Sequence, residues 1–267
     1  MDSGEKKQRD KNMSHIEIVT VVPCTNACRF CPQDVLAQAY GNNNPELDFY
    51  TFGLLLDKIP KDVGIHFSGF SEPFLNRSTS LMMAHAYRMG YKLSLFSTLI
   101  GLTANDIHFM KGIEFKGITI HVPDDWNFVV EDIDDWIVNF NVFSSYFKVD
   151  SAAYYIGNAD ERILKKCNVY KASDGCLTSR CNNVNPFVVP HVKRIKGKIN
   201  CVSGGQAFGM LPNGDVVVCC MDFGLKHKIG NLCNDSWEDL FNSEEYKKIT
   251  ASWTDESIET ICRYCRR

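Results

Sequence analysis

Short runs of β-branched and apolar residues alternate along the chain with longer stretches whose apolar positions recur every three to four residues. Ile16–Val22, Val63–Ser68, Tyr91–Ser97 and Gly117–Val122 read as strands, and Pro45–Ile59, Ser78–Met89 and Thr103–Lys111 read as the helices between them. Ile133, Trp136, Ile137 and Phe140 share one helical face within Asp132–Phe143. A strand near Tyr146–Tyr155 and a helix over Ala159–Lys166 continue the alternation. Ser78 and Thr103 are expected N-caps, because a hydroxyl there accepts from an orphan amide of the first turn. Strand–helix repetition builds a parallel sheet with helices packed on it, but it does not distinguish a partial barrel from an open sheet.

The pattern lapses over residues 182–198 into Asn, Pro and basic residues, which predicts a bridge to a second unit. Ala207–Leu211 and Val216–Cys220 flank Pro212-Asn213-Gly214-Asp215, a hairpin signal because Asn and Gly tolerate positive φ. A helix follows with Ser236 as N-cap and Asp239 in the capping-box position. The domain reading is a tail over 1–13, a core over 14–190 and a smaller unit over 191–267. No internal repeat is visible.

Composition narrows the function classes. The chain has 267 residues, a formal charge of −3 and 45% hydrophobic residues, the balance of a globular protein. Nothing in that charge makes a footprint for nucleic acid or an acidic membrane. No apolar run reaches the roughly 18–20 residues that a membrane-spanning helix needs. Met1–Asn12 is polar and lysine-rich without a following apolar segment, so a disordered tail on a cytoplasmic protein is expected rather than a signal peptide. Twelve cysteines then point to metal binding in a reducing compartment in preference to disulfides.

The first cysteines stand in Cys24-Thr25-Asn26-Ala27-Cys28-Arg29-Phe30-Cys31-Pro32, directly after the first strand. Three thiolates on one loop can hold a four-iron cubane and leave one iron open to a ligand, whereas structural zinc prefers four ligands. This C-x3-C-x-aromatic-C spacing resembles the radical S-adenosylmethionine (SAM) superfamily. The resemblance implies that Cys24, Cys28 and Cys31 bind a [4Fe–4S] cluster whose open iron takes the amino and carboxylate groups of SAM, with Phe30 beside it. It also implies reductive cleavage of SAM to a 5′-deoxyadenosyl radical, with an external one-electron donor such as flavodoxin or ferredoxin. Ser68-Gly69-Phe70-Ser71-Glu72-Pro73, after the second strand, resembles the family's glycine-rich turn ending in Glu-Pro. Gly69, Ser71 and Glu72 are thereby expected around the methionine amine. After the third strand the family usually has Thr-Asn-Gly, where this chain has Ser97-Thr98-Leu99; Ser97 is the residue expected to reach the ribose.

Cys201, Cys219, Cys262 and Cys265 are spaced 18, 43 and 3 apart, and the hairpin brings the first two together. Four cysteines can ligate every iron of a cubane, and a four-cysteine zinc site fits that spacing as well. With Gly209, Cys219-Cys220, Gly230-Asn231-Leu232 and Ser236-Trp237, this set resembles the SPASM/twitch extension, which implies an auxiliary [4Fe–4S] cluster. The length is that of the shorter twitch type, and the spacing is similar to that of twitch dehydrogenases acting on an aminocyclitol alcohol. By the same resemblance the core is a partial (β/α)6 TIM barrel, with a small C-terminal hairpin-and-helix twitch domain. Cys167, Cys176, Cys181, Cys220 and Cys233 remain. Cys181 and Cys220 are candidate hydrogen-atom donors, the step an epimerase needs.

Three polar residues are candidates for the chemistry. Leu177-Thr178-Ser179-Arg180 resembles a segment of twitch relatives that supplies a substrate-pocket arginine, so Arg180 is expected to bind hydroxyls, phosphate or carboxylate. His121 ends a strand, where barrel enzymes keep active-site groups, and is a candidate proton acceptor. Asp222 is a candidate base or a support for the auxiliary loop. The dehydrogenase relatives carry a glutamate at the position of Met221, a departure that argues against carrying over the cyclitol. The expected reaction is oxidation or epimerisation of a small polar substrate such as a sugar, cyclitol or conjugate, with the auxiliary cluster as electron relay. The alternatives are peptide modification by the same radical chemistry and a zinc-stabilised binding protein without catalysis.

Overall fold

The computed structural model describes residues 15–26, 28–149, 153–172, 177–201 and 207–265. The expected tail over 1–13 and Cys176 lie outside the described residues. The first half of the chain runs β1 (His15–Ile18), α1 (Gln33–Tyr40), α2 (Phe49–Leu56), β2 (Gly64–Phe67), α3 (Thr79–Arg88), β3 (Leu93–Ser97), α4 (Ala104–Met110) and β4 (Gly117–His121). It continues through α5 (Ile133–Tyr146), β5 (Ala153–Tyr155), α6 (Glu161–Lys166) and β6 (Tyr170–Lys171). The C-terminal part adds β7 (Ala207–Met210), β8 (Asp215–Val217), β9 (Lys228–Asn231), α7 (Trp237–Asn242) and α8 (Glu244–Ser252).

One sheet joins all these strands in the order β6-β5-β4-β3-β2-β1-β7-β8-β9. β1 to β6 are parallel in chain order, the arrangement of successive βα units. β7 pairs in parallel with the free side of β1, and β8 and β9 follow antiparallel. The C-terminal hairpin therefore extends the core sheet. In the register of β1, Ile16 lies opposite Ile65 and Phe208, and Ile18 opposite Phe67 and Met210. All six are completely buried, so β1 stands at the centre of the apolar layer under the helices. The alternate positions face the other way, where the His15 and His66 rings stack at 4.2 Å.

Local chemistry explains where helices begin. Thr103 and Asp106 form a reciprocal capping box on α4, and Ser80 of α3 donates to Asp106 Oδ1 at 2.7 Å, so one carboxylate caps a helix and ties its neighbour. Ser236 and Asp239 form the expected box on α7. Ser78 does not cap α3 as its hydroxyl suggested; Asn76 Oδ1 takes the Ser78 amide at 2.8 Å, and the Asn76 amide holds the Thr20 and Leu47 carbonyls.

Some boundaries differ from the sequence pattern. α1 was not expected, because its eight residues bury only Leu36 and Tyr40, too short a stripe to stand out. Helix α5 runs to Tyr146, with Phe143 and Phe147 in ring contact at 4.7 Å, and so confines the strand expected over Tyr146–Tyr155 to its last three residues. β6, β9 and α8 were also not anticipated, since two-residue and four-residue strands leave almost no periodicity. Among the described residues no helix is long and apolar enough to cross a membrane.

The loops at the carboxyl ends of β2 and β3 touch without room to spare. Gly101 has φ +84°, and a Cβ there would stand 2.5 Å from the Phe74 carbonyl oxygen. Gly112 has a similar φ of +87° but open space around it. Gly101→Ala is expected to lower unfolding free energy by about 2–3 kcal/mol in urea titration, against about 1 kcal/mol for Gly112→Ala. Equal losses would show that the close approach to Phe74 carries no weight.

Candidate functional site

The carboxyl ends of β1 to β4 share one cleft of about 120 Å³. Each strand sends a different group into it. After β1 come Cys24, Cys28 and Cys31; after β2, residues Ser68 to Glu72; at β3, Ser97 and Thr98; and at β4, His121. Arg180 and Phe223 close the side nearest the C-terminal part. The structure thus brings together Phe30, Gly69, Ser71, Glu72, Ser97, His121, Arg180 and the three cysteines, which the sequence separates by more than a hundred residues.

Gln33, which sequence reasoning missed, fixes the cysteine loop. Its side-chain oxygen accepts from the Cys24 amide at 3.0 Å, while Nε2 donates to the Phe70 carbonyl at 2.6 Å and lies 3.2 Å from Cys31 Sγ. One amide side chain therefore binds both ends of the cysteine loop and the turn after β2. The three thiols are half-buried and lie together at the cleft. Burial pushes Cys24 up to about 11, and it pushes Cys28 and Cys31 upward as well, with the neighbouring thiols adding to the shift at Cys24 and Cys28. Such thiols favour the uncharged form until a metal replaces the proton.

Glu72 behaves differently from expectation. Its carboxylate accepts from Ser97 Oγ at 2.7 Å, Thr98 Oγ1 at 2.6 Å, the Thr98 amide at 2.5 Å and the Phe74 amide at 3.2 Å. Burial raises its pKa, and these hydrogen bonds oppose the rise. Glu72 thus spends its lone pairs on the protein, and the Ser97 proton expected at a ribose goes to Glu72. Asn26 Nδ2 donates to Thr98 Oγ1 at 2.9 Å and extends the network to the cysteine loop. Three polar atoms of cleft-lining residues are buried without a hydrogen-bond partner among the described residues: Ser68 Oγ, Ser71 Oγ and Asn127 Oδ1. Buried orphan hydroxyls beside three thiols fit a polar ligand bound over an iron–sulfur cluster.

His121 Nε2 lies 3.1 Å from the Tyr154 hydroxyl. Burial and then the Arg180 charge push the imidazole down to about 4, so it is neutral at pH 7 and able to accept a proton. Arg180 Nη1 touches Met221 Sδ at 3.4 Å, and the guanidinium sits 5.8 Å from the Phe223 ring centre. Neither neighbour offsets its charge, which leaves the cation for the cleft.

The second cysteine group lies apart. Cys181 hydrogen-bonds Cys265 and senses Cys219 and Cys262, while Cys262 senses Cys201 and Cys265. Cys201 is exposed and the other four are half-buried. Among the described residues no three His, Cys, Asp or Glu side chains converge on a point suited to one metal ion, so the grouping rests on this mutual proximity. Cys181 was expected as a hydrogen donor, but it faces this group and is not among the side chains lining the cleft. Cys220 is buried outside the cleft lining too. Asp222, proposed as a base, has no free oxygen toward the cleft: it is fully buried and accepts from the Lys226 and His227 amides at 3.0 and 2.7 Å. It supports the loop after Cys219. Cys167 and Cys233 join neither group; Cys233 Sγ lies 3.6 Å from the Asn213 carbonyl.

Residues 201–266 match the SPASM family, described as an iron–sulfur cluster-binding domain. By sequence the chain matches no curated protein. Among solved structures, BtrN in complex with AdoMet and 2-DOIA is similar with a TM-score of 0.65 at 14% identity, covering 97% of this chain and 94% of that one. Native anSMEcpe with bound AdoMet is similar with a TM-score of 0.57 at 11% identity, covering 92% and 84%. SuiB of Streptococcus suis is similar with a TM-score of 0.51 at 11% identity, covering 89% and 67%. The fold is the one these radical SAM enzymes share, and residues 201–266 are similar to the SPASM iron–sulfur domain.

Proposed function

We propose that the chain is a radical SAM enzyme that oxidises or epimerises a small polar molecule bearing a hydroxyl group. The observation that carries this reading is the shared cleft, where three half-buried thiols, two orphan hydroxyls, a neutral imidazole and a guanidinium converge. Cys24, Cys28 and Cys31 would hold the SAM-binding cluster, and Cys201, Cys219, Cys262 and Cys265 the auxiliary one. When bound, these groups supply hydrogen-atom abstraction at the first site and an electron acceptor at the second.

The chain's own residues do the rest. Gln33 holds the cysteine loop against the turn after β2, and Glu72 fixes Ser97 and Thr98, so the floor of the cleft is rigid before anything binds. Ser68 and Ser71 offer hydroxyls to the polar groups of SAM. Arg180 orients the substrate through its hydroxyls or an anionic group. His121 takes the proton of the reacting hydroxyl, which a neutral imidazole can do and a charged one cannot. A small substrate is favoured by similarity over nearly the full length of both chains to BtrN, whose structure holds 2-DOIA. The structure of SuiB bound to precursor peptide SuiA is covered only to 66%.

Four results are expected. Anaerobic reconstitution should load about eight irons per chain with matching sulfide, falling to about four in Cys31→Ala, which should also release no 5′-deoxyadenosine under dithionite. Zinc without sulfide, or undiminished SAM cleavage in the variant, would remove the reading. His121→Phe should cut substrate turnover by about 100-fold or more while SAM cleavage continues. Because the imidazole titrates near 4, the acid limb of wild-type turnover should fall well below pH 6 and be lost as pH drops through that value. A limb near 6.5 would assign the proton to another group. In deuterated water, product two mass units lighter than substrate marks oxidation, whereas an epimer that gains one deuterium marks hydrogen return.

A further inference from the structure

A second cavity, of about 480 Å³, opens beside the cleft of about 120 Å³. Asn26 and Asn127 line both, so the two spaces meet at these side chains. Asn127 stands on the loop after β4 and is 2% exposed. Its Nδ2 donates to the Val122 carbonyl at 3.1 Å, and because a carbonyl only accepts, the orientation of the amide is fixed. Oδ1 is thereby turned away from Val122, and it is buried without a hydrogen-bond partner among the described residues. The loop that carries it is held before any ligand arrives. Asp124 Oδ1 accepts from the Trp126 amide at 2.8 Å and from the Asn127 amide, and Oδ2 accepts from the Ile156 and Gly157 amides after β5 at 2.6 and 3.1 Å. Neutral amides satisfy that carboxylate without cancelling its charge. Asp125 spends both oxygens on Asn158, at 2.7 and 2.9 Å. Those bonds first, and the Arg29 charge after them, hold the Asp125 carboxyl below the usual carboxylate range. With Glu131, three carboxylates line the cavity against Arg29 alone, while Ile100 and Phe128 supply apolar surface. Arg180 lines the cleft but not this cavity.

We propose that this cavity is a second substrate compartment, in which Asn127 Oδ1 and the surrounding carboxylates bind a protonated amine at the end of the substrate remote from the reacting carbon. This rests on the reading of the cleft as the place of reaction. A buried orphan oxygen requires a donor, and the surplus of carboxylates over Arg29 selects a cation before a neutral group. The same surplus repels phosphate and carboxylate, so an anionic conjugate is discriminated against on this side. Ile100 and Phe128 cover the carbon skeleton that bears the amine. Asn127 is thus a specificity-determining residue. It reads the substrate away from the reacting atoms, and the binding energy of that remote group places the reacting carbon in the cleft.

The test uses the full chain, reconstituted anaerobically and saturated with SAM, and three probes built on one ring: cyclohexylamine, cyclohexanol and cyclohexanecarboxylate. Binding at pH 7 is followed by ligand-observed saturation-transfer NMR, which needs no turnover. The amine is expected to bind about 10-fold more tightly than the alcohol, and the carboxylate to stay below detection. Asn127→Ala should weaken the amine by about 10-fold. Glu131→Gln, on the exposed rim, should weaken it by about 3-fold and leave the alcohol unchanged. Equal binding of the three probes, or amine binding indifferent to both substitutions, would overturn the proposal. Release of the amine on adding SAM, or weaker SAM binding in Asn127→Ala, would assign the orphan oxygen to SAM and overturn it as well. If Asn127→Ala fails to fold, Glu131→Gln decides, because an exposed rim carboxylate carries no packing. Iron is counted on the same samples. A chain that loads about eight irons yet ignores the amine sinks this proposal alone, whereas a chain that loads none sinks the reading beneath it.

Discussion

The Glu72 carboxylate is the point at which the site is tied together. It accepts four hydrogen bonds from Phe74, Ser97 and Thr98, and Thr98 passes the link on to Asn26 in the cysteine loop. A carboxylate removed from water is costly unless donors surround it, and here the donors come from the ends of β2 and β3. Loss of any one segment would leave a buried acceptor unmet, so the three loops are held in register by a shared electrostatic debt. Trp136 adds a fourth element by donating to the Thr98 carbonyl at 2.9 Å from helix α5. The floor of the cleft is therefore organised by lining groups that bond one another, while Ser68 and Ser71 keep unpartnered hydroxyls for a ligand.

The turn at residues 180–182 links that floor to the C-terminal cysteines. Three successive non-glycine residues in the left-handed region are costly, because each brings Cβ against the following carbonyl. The strain is offset by the side-chain bonds of Ser179, Asn182 and Asn183 and by the Asn182 clasp on the Val192 backbone. What the conformation achieves is separation: neighbouring residues reach different sites, Arg180 the cleft and Cys181 the second thiol group. Strain maintained in this way belongs to positions whose side chains have work to do.

How much of this was legible in the sequence depended on how local the determining forces were. The parallel core, the 207–217 hairpin, the capping boxes at Thr103 and Ser236 and the first cysteine set announce themselves within short windows, by periodicity, capping chemistry or thiol spacing; the second set, spread over residues 201–265, needed the family resemblance. Gln33 did not. Its partners Cys24 and Phe70 are brought to it by folding, and nothing about a glutamine at the start of a short helix marks it. Glu72 and Ser97 were located correctly in the cleft, but not their contacts, because a carboxylate and a hydroxyl 25 residues apart carry no sign of bonding each other. Asp222 was open between a base and a support for the auxiliary loop; its burial under the Lys226 and His227 amides, a tertiary fact, favours the support. Cys181 was noticed for its chemistry and assigned to the wrong side of the turn, since φ at three consecutive residues decides that side.

Two cations show why the C-terminal part cannot be treated as an appendage of the sheet. Lys58, at the end of α2, donates to the Leu232, Cys233 and Asp235 carbonyls, so a core helix caps the loop after β9. Arg263, fully buried between the knuckle cysteines, donates to the carbonyls of Ile195, Gly197, Ser252 and Asp255. Carbonyls take the Nη1 and Nη2 protons, Nε is left without a partner among the described residues, and none of this cancels the charge. An apolar side chain of equal bulk would pack there, yet it would leave four buried acceptors unmet, each costing about 1–3 kcal/mol. Beyond those carbonyls its charge reaches the carboxyls of Asp255 and Glu259, which hydrogen bonds from Ser257 and Arg194 lower first and Arg263 lowers further, so one buried cation ties residues 195–197 to the 252–259 segment.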